Sequence, residues 1–159
     1  MCKASFVKIQ ILQIAKTRDA NLAVLEAEYE KRLQPFAKLE SLTFSASKSD
    51  ERNRAQEDEA KHFLAKLDRD ATLFALDERG SLLTTEDFAA ALKKIRDLGP
   101  GKLQLLIGGS HGLHPTVLAA VHKTVALSKM TFTHEMVRVF LKEQLYRAFS
   151  ILAGKKYHK

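Results

Sequence analysis

Apolar positions along this chain follow two alternating rhythms. Residues 6–14 form a run rich in Val, Ile and Phe, followed by apolar positions at helical spacing through Leu22, Leu25, Tyr29 and Leu33 that stop before Pro35. A strand and then a helix are predicted. Residues 39–44 predict a second short strand and residues 45–50 a polar loop. Residues 51–67 predict a densely charged helix with Ala60, Phe63, Leu64 and Leu67 at helical spacing, its charge reading as a solvated face and not a binding site. Residues 72–76 read as a compact apolar strand, with Asp77-Glu78-Arg79-Gly80 as the turn after it. Thr84 and Asp87 make a capping-box pattern before a helix with the stripe Phe88, Leu92, Ile95 and Leu98, stopped by Gly99-Pro100. Residues 103–107 are almost wholly apolar, as in a strand covered on both faces. A helix over 115–124, a short strand over 125–127 and a long helix over 134–152 complete the pattern. Such alternation predicts an α/β fold, a mostly parallel sheet with helices on both faces, in one domain over residues 1–159.

Composition narrows the partners. At 159 residues and 45% hydrophobic, the chain has material for one core. Lys and Arg number 26 against 19 Asp and Glu, a net charge of +7 that favours a polyanionic partner such as RNA. The single cysteine, Cys2, cannot form an intrachain disulfide, which fits a reducing cytosol. No apolar run approaches the roughly 18 residues of a membrane span, and Met1-Cys2-Lys3-Ala4-Ser5 lacks a signal-peptide core, so a cytoplasmic protein without membrane attachment is expected.

Ligands of such sheets sit at the carboxyl ends of the strands, which draws attention to the loops after Leu76, Ile107 and Leu127. An apolar strand running into Gly108-Gly109 lets backbone approach a ligand, although a glycine pair after a strand is also an ordinary tight turn. His111 and His114 are half a metal site at most, so no metal is predicted. Ser110 follows the glycines without a nucleophile elbow, and no strand is followed by a dinucleotide-binding glycine fingerprint.

Three segments together carry a resemblance. They are Ile107-Gly108-Gly109-Ser110-His111-Gly112-Leu113, Leu127-Ser128-Lys129-Met130-Thr131-Phe132, and Arg138-Val139 with Glu143-Gln144-Leu145-Tyr146-Arg147-Ala148-Phe149. With the ending Tyr157-His158-Lys159, they closely resemble the RlmH family, SPOUT-class methyltransferases that modify N3 of a pseudouridine in the 23S ribosomal RNA of the bacterial large subunit. The resemblance implies a SPOUT fold with a C-terminal trefoil knot, a homodimer, and S-adenosyl-L-methionine as methyl donor. It assigns the donor site to Leu76, Gly108, Leu127, Ser128, Lys129, Met130, Thr131 and Phe132. Two positions depart from the family: Ala15-Lys16 stands where Gly-Lys is usual, and Thr133 where Pro is usual. The first puts the loop geometry near Lys16 in question, and the second loosens the backbone before His134.

The chemistry asks chiefly for orientation and for removal of the imide proton of the target base. His134 near the donor site and His158 on the tail are the candidate bases, because histidine titrates near working pH; the ordinary role of His134 would be to cap its helix or bond to backbone. Arg138 and Arg147, nine residues apart, fall on roughly opposite sides of a helix, one free to pair with Glu143 or across a dimer and the other to meet RNA phosphate. Arg147 and Tyr157 are taken as catalytic with the two histidines, and Arg138, Lys155 and Lys156 as RNA-binding. In the family the basic, aromatic tail completes the partner subunit's site, gripping an unstacked base. The apolar positions Met136, Val137, Phe140, Leu141, Leu145, Ala148, Phe149 and Leu152 suggest core plus subunit interface. The expected partner is ribosomal RNA within the large subunit or assembled ribosome. The alternatives are a SPOUT-fold RNA-binding protein without catalysis and a methyltransferase of another RNA site.

Overall fold

Strand β1 (Val7–Ile14) sends Val7, Ile9 and Ile11 into one buried cluster and Leu12 and Ile14 into another, so both of its faces need cover. In the computed structural model, which describes residues 6–158, that cover comes from two helical layers. β1 pairs with β2 (Ala37–Phe44) and with β4 (Lys102–Ile107), β4 pairs with β3 (Thr72–Leu82), and β3 with β5 (Lys123–Ala126). All pairs are parallel, in the order β2-β1-β4-β3-β5. Helices α1 (Ala20–Leu33), α3 (Thr85–Asp97) and α5 (His134–Leu152) cover one face, through Leu33, Phe88, Leu92, Ile95, Leu141, Leu145 and Phe149. Helices α2 (Arg52–Lys66) and α4 (Pro115–Ala120) cover the other, through Ala60, Phe63 and Val117. The central strand β4 is accordingly buried over five of its six residues, as its composition predicts.

Local signals are realised where they are chemically specific. Thr84 and Asp87 form the reciprocal capping box of α3, and Asp19 caps α1 by accepting from the amides of Asn21 and Leu22. Four expectations are corrected. Of the helical positions Leu22, Leu25, Tyr29 and Leu33 in α1, Leu33 is buried in the core and Leu22 and Tyr29 are half-buried, but Leu25 is exposed, while Glu26 is buried where Lys142 of α5 meets it. Leu98 is 83% exposed, since α3 ends at Asp97 and the chain turns away. The fourth helix stops at Ala120 and not Thr124, the following residues being taken up by β5 pairing with β3. Residues 77–80 do not end β3. They bulge out, so that Leu76 and Ser81 both oppose Val125, and the strand re-pairs. Gly80 closes the bulge where any Cβ would lie 2.7 Å from the backbone of Thr124 and Val125. Among the described residues, no helix is long and apolar enough to cross a membrane.

Candidate functional site

The carboxyl ends of β4, β3 and β5 lie side by side, with Leu76 opposite Ile107 on one edge and Val125 on the other. Over them opens a cleft of about 550 Å³. Its walls come from the β3 bulge, the loop after β4, the loop after β5 and the first turn of α5. This is the position at which an open parallel sheet offers backbone groups and loop side chains to a ligand.

The loop after β4 is shaped by glycine, for a reason other than room for a ligand. A Cβ on Gly108 would fall 2.6 Å from the carbonyl carbon of Gly112, because the loop doubles back and the Gly112 amide donates to the Gly109 carbonyl at 3.0 Å. Gly112 itself sits at φ +77°, a conformation that favours glycine. Helix α2 braces the loop from behind. The Gln56 side-chain amide donates to the His111 carbonyl at 2.6 Å, and the Glu59 carboxylate lies 3.1 Å from where a Cβ on Gly109 would stand. Burial pushes the Glu59 carboxyl upward, against the opposing effect of the Ser47 amide that donates to it. The sequence reading missed both residues because α2 reads as a charged, solvated helix. Its signal is the pair of long polar side chains at Gln56 and Glu59, one helical turn apart and on one face.

From the loop after β5, Leu127, Ser128, Met130, Thr131 and Phe132 line the cleft, as do Leu76 and Gly108. Lys129 does not line it. The Ser128 hydroxyl accepts the Met130 amide at 3.0 Å and holds the loop's bend. Thr133 does not loosen the entry to α5. Its hydroxyl accepts from the Met136 amide, making it the N-cap, a function proline cannot perform. His134 is thereby released from capping and lies half-buried in the cleft wall. Burial, and after it the Arg138 guanidinium, hold its imidazole below the ordinary histidine range. His114 of the candidate histidine pair serves as the N-cap of α4.

Arg138 cannot meet RNA phosphate from this position and is corrected to a structural role. It is fully buried, donating to the Ile14 carbonyl at 2.5 Å and the Thr17 hydroxyl at 2.9 Å. Thr17 in turn bonds Glu26, which receives Lys142 at 2.5 Å, while Lys142 also meets Glu30 at 2.6 Å. One turn earlier, the Glu135 carboxylate accepts the amides of Arg18 and Asp19, which lower its pKa. Helix α5 thus grips the whole loop after β1. Within that loop Ala15 adopts φ +59°, a left-handed conformation carried here by a residue with a Cβ.

Arg147 is the arginine that pairs with Glu143, at 2.5 Å, and its guanidinium lies 5.1 Å from the Tyr157 ring centre. Tyr157, in the short 3-10 turn Lys156–His158, packs edge-on against Tyr146 at 4.6 Å. Lys155 lies over Phe36 at 4.7 Å, and Lys156 is exposed. Tyr146 is twelve residues along α5 from His134, about 18 Å at helical rise, so Arg147 and Tyr157 do not act at their own chain's cleft in this conformation. The side chain of His158 and all of Lys159 lie outside the described residues.

A family model described as "Predicted SPOUT methyltransferase" matches residues 7–158. Among solved structures, the chain is similar to a probable methyltransferase from Bordetella pertussis Tohama I, at 13% identity and TM-score 0.58, covering 94% of this chain and 99% of that one. It is also similar to a probable methylase family protein from Haemophilus influenzae Rd KW20, at 14% identity and TM-score 0.55, covering 95% of this chain and 70% of that one. At such identities the likeness is one of fold.

Proposed function

The chain belongs to the SPOUT methyltransferase family, and we propose that it methylates ribosomal RNA in the cytoplasm, at N3 of a pseudouridine of the large subunit, with S-adenosyl-L-methionine as donor. The observation that carries this reading is the cleft over three adjacent strand ends, walled by the loop residues that the resemblance assigns to the donor. Leu76, Gly108, Leu127, Ser128, Met130, Thr131 and Phe132 would hold the donor. When bound, S-adenosyl-L-methionine supplies an already electrophilic methyl group. The protein's work is then orientation and proton removal. His134 suits proton removal, because an imidazole held below its ordinary pKa is neutral at pH 7 and able to accept the imide proton.

A homodimer belongs to the same proposal, as does the trefoil knot. Met130 is 74% and Phe132 42% exposed, and half-buried Met136, Val137 and Phe140 continue this apolar surface along the first half of α5. A second copy packed antiparallel on α5 would cover it and bring its own Tyr157 and Arg147 to the cleft they cannot reach within one chain. The alternative of an RNA-binding protein without catalysis draws on Ala15 and Thr133; Thr133 caps α5 and so gives it no support, and Ala15 forms a left-handed turn.

The test combines calorimetric titration of S-adenosyl-L-methionine with mass spectrometry of ribosomal RNA incubated with enzyme and donor. Donor binding and one added methyl group on a pseudouridine are expected. A protein that binds no donor would end this reading. The pH profile assigns the base: kcat/KM should fall as pH drops through the His134 pKa, below about 6.5. His134→Gln should lower kcat by about 10²–10⁴ and remove that limb.

A further inference from the structure

The two walls of the cleft differ in chemistry. On the β5 and α5 side Val125, Leu127, Phe132 and Val137 supply apolar surface, and the polar groups among them, Ser128, Thr131, Thr133 and His134, include no lysine or arginine. On the α2 side it is polar, with Ser110, His111 and Arg52. The β3 bulge contributes Asp77, Glu78 and Arg79, but Arg79 is spent on a bidentate bond to Asp77 at 2.8 and 2.9 Å, so that wall offers a phosphate no free cation. Arg52 is exposed and takes part in no ion pair among the described residues. Further exposed cations lie away from the β3 bulge: Lys48 in the loop after β2, Arg54 in the first turn of α2, and Lys16 and Arg18 after β1, outnumbering Asp50 and Glu51 beside Arg52.

We propose that the RNA strand enters the cleft across the α2 side, with Arg52 holding a backbone phosphate next to the acceptor base. This rests on reading the cleft as the methyl-transfer site. The donor's own carboxylate is the other anion Arg52 could hold. A polymer is favoured because the exposed cations extend beyond the cleft, whereas a single carboxylate needs one point of contact. The β3 bulge, where Arg79 and Asp77 neutralise each other and Glu78 is left, carries a net negative charge and does not attract phosphate, which favours approach from the Arg52 side.

The experiment compares Arg52→Gln with Arg69→Gln, an equal loss of charge on an arginine just before β3, where the strand begins and away from its carboxyl end. Binding of a fluorescein-labelled single-stranded oligoribonucleotide is followed by anisotropy between about 50 and 200 mM salt. S-adenosyl-L-methionine is titrated separately by calorimetry. Arg52→Gln should weaken RNA binding about tenfold and lower the salt slope by about 0.7 to 1, with donor affinity unchanged and Arg69→Gln like the wild type. Equal RNA affinities in the two variants would overturn the proposal. So would loss of donor affinity in Arg52→Gln, which would hand the residue to the donor's carboxylate. A wild-type protein that binds no donor would defeat the methyl-transfer reading instead, and the RNA titrations would still decide the role of Arg52.

Discussion

The loops after β1 and β4 leave neighbouring strands at the same edge of the sheet, and both turn within a few residues. They are held by opposite means. After β4 the turn depends on absent side chains: Gly108 lies where a Cβ would strike the backbone of Gly112, and Gly112 takes a positive φ. After β1 the turn carries a Cβ in the left-handed region at Ala15 and is gripped by buried charge, through Arg138, Glu26 and Lys142. A glycine loop is shaped locally and needs a brace such as Gln56 only for its outer carbonyls. A loop with side chains must be forced into shape by tertiary contacts, which are stronger one by one and more fragile when a single member is lost.

That contrast breaks most visibly at Lys142. Lys142→Met leaves the Glu26 carboxylate buried without its cation, and should cost about 3–5 kcal/mol in urea unfolding. The double variant Lys142→Met with Glu26→Leu should recover most of that loss, because apolar replacement of a whole buried pair is often neutral. A single variant as stable as wild type would show that the network does not hold the loop. Next in size comes Gly108→Ala, whose methyl group must displace backbone 2.6 Å away. A loss of about 1–3 kcal/mol is expected, with weakened donor binding in the protein that remains folded. If calorimetry finds donor affinity intact in that variant, the loop after β4 does not form the donor's floor. The smallest effect has the opposite sign. Ala15→Gly relieves about 1–2 kcal/mol of left-handed strain while adding about 0.5–1 kcal/mol of unfolded-chain entropy, so a gain of up to about 1.5 kcal/mol should appear in urea unfolding. A loss there would mean that the Cβ of Ala15 packs usefully enough to outweigh its φ.

The same contrast explains what is legible in the chain itself. The cleft can be read as three strand ends because β4 is apolar throughout and runs straight into glycine, and the parallel order then sets Leu76, Ile107 and Val125 abreast. Arg138 is misread from sequence because its nine-residue spacing from Arg147 says only that the two point in opposite directions. Which one is inward depends on where α1 and the loop after β1 pack. Gln56 and Glu59 escape notice because one charged helix looks like another until its buried face is known.

By itself the sequence determined the alternation of elements, the capping box at Thr84 and Asp87, the length of α5 and the glycine turn after β4, all governed by residues close together in the chain. Only the tertiary structure decided the strand order 2-1-4-3-5, the bulge that lets β3 pair beyond Leu76, the burial of Arg138 and Lys142, and the separation of Tyr157 from its own cleft. Most of those features join residues distant in the chain, 124 positions apart for Ile14 with Arg138 and 116 for Glu26 with Lys142. A charged side chain carries no mark in the sequence of whether it will meet water or a buried partner, because that outcome is set by the elements packed against it.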